Sequence, residues 1–132
     1  MPSMKAISVR APWWWAILYF DKDIENRPAR WNHRGPILLQ ASKFWNQAQI
    51  EADWRGIYQH ILHVHQVPPI PPQMRSLGGH IVGTMTLEDC VSQSDSEWFF
   101  GPYGLVLKNR CSIPRPFPCK GSLGLFNVEW PY

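Results

Sequence analysis

The sequence has little of what would indicate a secreted, membrane-bound or disulfide-stabilised protein. Its 132 residues include only three cysteines, with no C-x-x-C pair, and one must stay unpaired in any bridging scheme. This usage predicts reduced thiols in a cytoplasmic protein. The apolar run APWWWAILYF near the start is too short to span a bilayer and lacks a small-residue cleavage site. We therefore expect a cytoplasmic location and no membrane partner.

Motifs for common metal and nucleophile chemistry are also missing. His60, His63 and His65 cluster, and the first two could share a helical face, but no second ligand pair at zinc spacing accompanies them. Exposed helix histidines are the better interpretation, so we predict no metal site and no cofactor. The chain has no G-x-S-x-G, H-E-x-x-H or phosphate-loop motif, and no histidine lies near Cys111 or Cys119 to activate a thiolate.

Charge is sparse, whereas tryptophan and proline are abundant. Charged residues make up 17% of the chain, and the net charge of +3 gives a pI near 8.9. Such a mildly basic balance is compatible with a polyanionic partner without identifying one. Of the eight tryptophans, most are expected in the core and a minority on a surface that stacks on bases.

The pattern of apolar residues predicts one domain, residues 1–132, of the α+β class. Alternation or burial predicts strands in MKAISVR, Ile37 to Ala41, GGHIVGTMTLEDC, YGLVLKN and GSLGLFNVEW, while a following proline holds DIENR extended. PWWWAILYF is predicted as a short helix, with a buried strand as the alternative, and Trp54 to Leu62 as an amphipathic helix. Ser42 is an expected N-cap, and RCSIPRPFPCKG is expected to be a loop. The sum is a small β-barrel with two helices inserted between the early strands.

The stretch FDKDIENRPAR, residues 20–30, concentrates charge in a chain that has little of it. In an extended segment Asp23, Glu25 and Arg27 share one face, and Lys22 lies with the other. One interpretation is an exposed Glu25–Arg27 ion pair, which contributes about 0–1 kcal/mol and has no functional meaning. The other requires Lys22 in the turn after the helix, so that its stem swings toward Glu25. Composition alone leaves both open.

The same stretch resembles the signature of a known family. KDIENR matches the K-x-x-E-x-R core of the G-x-K-x-x-E-x-R signature of the ASCH domain family. ISVRAPWWWAIL is similar to the family's opening LSIRQPWAWAIL, and RGPILLQASK is similar to its strand RGPLLIHASK. GGHIVGTMTLEDCV, WFFGPYGLVLKN and PFPCKGSLGLF are similar to the later strands of its longer members. These segments follow the family's order and span nearly the whole chain, so the chain resembles the longer ASCH type.

The resemblance implies a PUA-like β-barrel with a cleft lined by the signature, and RNA or a modified nucleoside as the partner. Lys22 and Glu25 would be the catalytic pair if the protein is an enzyme. Some family members remove the acetyl group of N4-acetylcytidine, and others have been described as ribonucleases, the one activity for which a divalent metal is considered. The expected ligand-binding residues are Ser8, Arg10, Trp13, Asn26, Arg27, Ser42, Lys43 and, as a stacking ring, Tyr103.

Four positions depart from the family's pattern. Phe20 replaces the signature's glycine, Ala11 and Gln40 replace a glutamine and a histidine, and Glu25 stands where the deacetylating members carry threonine. Binding of RNA or a modified nucleoside is the expected function. Hydrolysis is the alternative, in which Glu25 acts as the base and a cation of the signature stabilises an oxyanion or a phosphorane. A protein-interaction module that uses the tryptophans is the second alternative.

Overall fold

The computed structural model of the chain describes residues 2–131. Its six strands are Ser3–Val9 (β1), Ile24–Arg27 (β2), Gly35–Ala41 (β3), His80–Val91 (β4), Tyr103–Pro118 (β5) and Phe126–Glu129 (β6). Its α-helices are Trp13–Tyr19 (α1), Gln47–Gly56 (α2) and Pro72–Ser76 (α3), and a π-helical turn, Ile57–Ile61, continues α2. The predicted α+β class is confirmed.

The strands form one mixed sheet in the order β2-β5-β4-β3-β1-β6. β1 runs parallel to β3, and all other neighbours are antiparallel. Among residues 2–131 the hydrogen-bonded ladder ends at β2 and at β6, so the expected barrel does not close. Each of these edge strands has four residues and pairs with one neighbour. Three register shifts between β4 and β5 bend the sheet instead.

Hydrophobic clusters cover both faces of the sheet, so β1 buries side chains on both of its faces. Alternation predicted one buried face, but Ala6 and Ile7, which point to opposite faces, are both fully buried. Ile7 belongs to the main core together with Trp14 and Trp54, whereas Ala6 packs in a smaller cluster with Leu38. The main core therefore covers one face of β1 and the smaller cluster covers the other at this point of the strand.

The helices lie between the early strands, as predicted. α2 begins at Gln47, which is later than an N-cap at Ser42 would place its start. α1 follows β1 directly, so the helical interpretation of PWWWAILYF is confirmed. Ser42 is not an N-cap, because the side chain of Asn46 caps α2 by accepting a hydrogen bond from the backbone of Gln49 at 3.1 Å. No helix among residues 2–131 has the length and apolar character needed to cross a bilayer.

β5 continues through RCSIPRPFP, where the sequence indicated a loop. β2 pairs only with Tyr103 to Val106. The remainder of β5 therefore has a free edge, where a proline, which has no backbone N–H, removes no hydrogen bond between strands. Beyond β5, residues 118–124 approach the side chains of Ser8 on β1 and Gln40 on β3. This segment forms one wall of the site described below.

Candidate functional site

The turn between α1 and β2 directs Lys22 into the protein. Asp21 takes the left-handed φ of +57°, and the backbone N–H of Lys22 donates to the carbonyl of Ala16 at 3.1 Å. Phe20, at the signature's glycine position, has an ordinary φ of −119°, so no glycine is required there. Its ring packs against Trp54, with the ring centroids 5.6 Å apart. The fold therefore accommodates the replacement of the signature glycine by phenylalanine.

The side chain of Lys22 is almost completely buried, with 1% of its surface exposed. Its Nζ lies 5.5 Å from the ring centroids of both Trp13 and Trp98. Nζ donates a hydrogen bond to the carbonyl of Ile24, and Glu25 Oε1 is 3.8 Å away. Burial lowers the pKa of Lys22 from its usual 10.5, and the carboxylate of Glu25 only partly opposes this effect. This ammonium group therefore releases its proton more readily than a lysine in water.

Glu25 joins the charged side chains of the signature. Its Oε2 accepts a hydrogen bond from Arg27 Nη2 at 3.0 Å, and the same nitrogen donates to the carbonyl of Ser8 at 3.1 Å. Glu25 and Arg27 are 13% and 21% exposed, so the exposed ion pair is the wrong interpretation and Lys22 does swing toward Glu25. Arg27 Nε is buried without a hydrogen-bond partner among residues 2–131. The arginine thus retains a donor that a bound group could satisfy.

A cleft of about 1040 Å³ opens beside the signature, between β1, β2, β3 and residues 118–124. It brings together eight of the ten predicted site residues: Ser8, Arg10, Trp13, Glu25, Asn26, Arg27, Ser42 and Lys43. Lys22 lies outside it and lines a recess of about 160 Å³ that also contacts Trp13 and Glu25. Tyr103 is not among the lining residues of either space, and the guanidinium of Arg30 lies 5.1 Å from its ring centroid. A stacking contact of Tyr103 with a ligand stays a prediction.

Positive charge dominates the cleft. Its cationic members are Arg10, Arg27, Lys43 and Lys120. Glu25 is the single carboxylate among the lining residues. The guanidinium of Arg10 lies 4.3 Å from the ring centroid of Phe44, which is 51% exposed. Cations placed beside an exposed ring favour a ligand that combines negative charge with a flat ring.

Residues 118–124 form a wall that the sequence did not indicate as part of the site. Gln40 Nε2 donates to the carbonyl of Cys119 at 2.8 Å, and Gln40 Oε1 accepts from Ser8 Oγ at 2.5 Å. A Cβ atom at Gly121 would lie 2.8 Å from Gln40 Oε1 and 3.0 Å from Ser8 Oγ, so the close approach requires glycine. Gln40, where the family pattern has histidine, thus holds the wall in place. The glycine-bearing turn GSLG was the sole local signal.

Asn26 fixes the loop that follows β4. Its Oδ1 accepts hydrogen bonds from the backbone N–H of Phe100 at 2.8 Å and of the next residue at 3.1 Å. Its Nδ2 donates to the carbonyl of Trp98 at 3.0 Å. These bonds hold Trp98 beside the buried lysine and Phe100 against Trp13, with centroids 6.5 Å apart. Ligand binding by Asn26 stays a prediction, although its amide already supports the site.

The histidines do not share a helical face as the sequence allowed. His63 lies beyond the π-helical turn with φ of +56°, which separates it from His60. Within residues 2–131 no three or more histidine, cysteine or acidic side chains are grouped to hold a metal ion, and the absence of a cofactor stays a prediction. Cys119 lines the cleft as a free thiol, and burial raises its pKa, which makes it a poor nucleophile.

Comparisons of the chain with models of known protein families and with curated proteins give no match. The resemblance to the ASCH family therefore rests on the segments quoted above. The chemistry available to the site is that of its own side chains, namely a cation-rich cleft, aromatic rings along its lining, and a buried lysine beside a glutamate.

Proposed function

We propose that the cleft binds RNA or a modified nucleoside. The observation that carries this proposal is the charge of the cleft, where Arg10, Arg27, Lys43 and Lys120 face one carboxylate in a chain of net charge +3. Lysine and arginine gathered in a concave surface favour phosphate groups as ligands. A surface that binds another protein through tryptophans would have no need of these cations.

Aromatic side chains provide the second part of the recognition. Trp13 and Phe44 are partly or largely exposed and both line the cleft. Stacking of a base on such a ring contributes about 1–3 kcal/mol and tolerates any base. The volume of about 1040 Å³ is at the upper end of the range for small-molecule sites, so the cleft accommodates a nucleotide. Phosphates at the cations and a base on a ring would use both features.

The proposal includes an ASCH-type domain with a PUA-like fold and a cytoplasmic location. It is supported by the convergence of Lys22, Glu25 and Arg27, and by the number of expected residues that line one cleft. The insertion of helices between the early strands agrees with the architecture that the family implies. The open ladder is the feature that departs from it.

A salt titration of RNA binding tests the proposal. Fluorescence anisotropy of a labelled single-stranded RNA of mixed sequence should report affinity that falls steeply as salt rises, because phosphate contacts release counterions. Lys43→Gln and Lys120→Gln should each weaken binding by about threefold to tenfold and lower the salt slope by about one. Cytidine monophosphate as a competitor separates nucleotide binding from binding of a longer strand.

Lys108→Gln is the matched control, since Lys108 is exposed on β5 and does not line the cleft. It removes the same charge from the protein as the two cleft variants. Equal weakening by all three variants would show that net charge alone attracts RNA and would count against the cleft. Binding that does not respond to salt, or no binding at all, would exclude the nucleic-acid proposal.

Hydrolysis is a second candidate, and the recess beside the cleft favours it. Lys22 and Glu25, 3.8 Å apart, both line this recess of about 160 Å³, and the pKa of Lys22 is lowered by burial. In an amide hydrolysis Glu25 would take a proton from water as the water oxygen bonds to the carbonyl carbon. Lys22 would stabilise the resulting oxyanion until the carbon–nitrogen bond breaks and the amine leaves with a proton.

Two incubations test this second candidate. Turnover of N4-acetylcytidine, followed by chromatography, should exceed that of a Lys22→Ala variant if the protein is an amidohydrolase. Cleavage of single-stranded RNA, followed on a gel without metal and then with Mg²⁺ or Mn²⁺, tests the ribonuclease form. Absence of product in both assays alongside salt-dependent RNA binding would leave binding as the function.

A further inference from the structure

A second cavity lies on the helical side of the molecule and uses two of the rings already described. It has a volume of about 490 Å³ and lies between α2 with its π-helical turn and the loop around residues 97–100. Its lining residues are Trp13, Ala52, Asp53, Gly56, Ile57, His60, Ile61, Glu97 and Phe100. This volume is within the range of about 300–1,000 Å³ that small-molecule sites occupy. Trp13 and Phe100 also line the recess of Lys22, so the two rings separate the two spaces.

The lining of this second cavity combines apolar surface with uncompensated negative charge. Trp13, Phe100 and the isoleucines of the π-helical turn supply the apolar part. Asp53 and Glu97 supply two carboxylates, and no lysine or arginine lies among the lining residues. Neither carboxylate forms an ion pair with any residue in the range 2–131. Asp53 Oδ1 accepts a hydrogen bond from Gln49 Nε2 at 2.9 Å, which leaves its negative charge without a cationic partner. Aromatic rings beside such carboxylates favour an organic cation, through cation–π contact and charge pairing.

Gly56 lies in the wall of this cavity. It is inside a continuous helical segment with φ of −60°, so its backbone conformation suits any residue. A Cβ atom built on it would meet nothing within 4 Å, so packing does not require glycine either. A larger side chain at position 56 would therefore enter open space at this wall, which makes the position suitable for filling the cavity by substitution.

The backbone that carries Glu97 and Phe100 is held in place before any ligand arrives. Ser96 Oγ donates to Asp23 Oδ1 at 2.5 Å, and Asn26 binds the backbone at Phe100, so the loop is fixed on both sides of Glu97. On the helical side, the π-helical turn begins directly after Gly56, and such turns are frequent at functional sites. A site fixed in this way loses little entropy when a ligand binds.

We propose that this second cavity binds a small organic cation, with an ammonium or guanidinium group between Asp53 and Glu97 and an apolar body against Trp13 and Phe100. The cations of the cleft do not line this cavity. The proposal therefore stands independently of RNA binding. It assigns a ligand of opposite charge to a cavity that shares only Trp13 with the cleft.

Binding of three phenyl compounds of equal shape and different charge tests the proposal. Phenethylammonium, 2-phenylethanol and 3-phenylpropionate are titrated at neutral pH into the isotopically labelled full chain, and binding is followed by NMR. Phenethylammonium should shift the signals of Trp13, Ile57 and Phe100, the alcohol should bind more weakly, and the carboxylate should not bind. Glu97→Gln and Asp53→Asn should each weaken phenethylammonium by about threefold to fivefold.

Two further variants keep the outcome decisive. Glu88→Gln removes an exposed acid of β4 that does not line the cavity, and it should leave binding unchanged. Gly56→Leu should fill the cavity and abolish binding while the chain stays folded. If the Gly56→Leu variant does not fold, Ala52→Leu serves as the cavity-filling variant. The proposal is overturned if the alcohol binds as well as the amine, or if Glu88→Gln weakens binding as much as Glu97→Gln. It is also overturned if the variant with the filled cavity still binds phenethylammonium, or if the NMR signals of the lining residues do not shift.

Discussion

The larger cleft and the smaller cavity share the ring of Trp13 in their linings and differ in charge. The larger cleft has four cations and one carboxylate in its lining, whereas the smaller cavity has two carboxylates and no lysine or arginine. The cleft takes its charge from strand ends and from residues 118–124, and the smaller cavity takes its charge from α2 and the loop before Phe100. The shared aromatic ring therefore does not determine the charge of the ligand. The charged residues on the neighbouring elements determine which charge each space attracts.

Asn26→Ala should break the comparison most strongly, because Asn26 itself lines the cleft and holds the loop that supplies Glu97 and Phe100 to the smaller cavity. The backbone N–H groups of Phe100 and Gly101 would lose their acceptor, and the carbonyl of Trp98 would lose its donor. We expect the free energy of unfolding to fall by about 2 kcal/mol. Urea denaturation measures this loss, and amide exchange at Phe100 and Gly101 should accelerate.

Asn32→Ala is the control for that variant, since Asn32 is exposed and forms no hydrogen bond with residues 2–131. Its stability and its exchange rates should match those of the unmodified chain. Equal losses in the two variants would mean that Asn26 does not hold the loop.

Two glycine variants sharpen the comparison, because Gly121 lines the cleft and Gly56 lines the smaller cavity. Gly121→Ala places a Cβ atom 2.8 Å from Gln40 Oε1, which is fixed by hydrogen bonds on both sides, so stability should fall by about 1–2 kcal/mol. Gly56→Ala meets nothing and should raise stability by about 1 kcal/mol. Thermal or urea unfolding of both variants measures whether each substitution lowers or raises the free energy of unfolding. Changes of the same sign would show that the two glycines do not differ in the space around them.

Lys22→Met gives the smallest expected effect and separates the charge of the lysine from its volume. Because the pKa of Lys22 is lowered in the folded protein, the unfolded chain binds more protons between that pKa and 10.5. The stability of the unmodified chain should therefore rise with pH through this window, relative to the methionine variant. The stability of the variant relative to the unmodified chain should be greatest below this window and should decrease as the pH rises through it, because above 10.5 Lys22 is uncharged in both the folded and the unfolded chain.

The measurement for this variant is urea denaturation across that pH range, with Lys108→Met as the exposed counterpart. A difference between Lys22→Met and the unmodified chain that stays constant with pH would show that burial does not control this ammonium group.

The sequence could predict the parts of the site that depend on neighbouring residues of the chain. It could not predict the parts that depend on contacts between distant residues. The family resemblance implied Ser8, Arg10, Ser42 and Lys43 as site residues, and all four line the cleft. The wall at residues 118–124 could not be predicted, because its hydrogen bond joins Gln40 to Cys119 across 79 positions. The same holds for Asp53 and Glu97, which only the tertiary fold brings to one cavity.

The fold shows the same division between local and distant contacts. Strand and helix periodicities predicted most elements and the α+β class, since they report which face of each segment is apolar. They carry no information on whether β2 and β6 meet, so the closed barrel was not a safe expectation. Proline density likewise suggested a loop where β5 continues, because only pairing partners reveal that its edge is free there.

The free edge of β5 also has a consequence for how the protein behaves at high concentration. β2 and β6 are edge strands of only four residues each. The part of β5 that lies beyond its pairing with β2 carries Pro114, Pro116 and Pro118. Short edge strands and prolines along a free edge oppose the joining of sheets from different molecules.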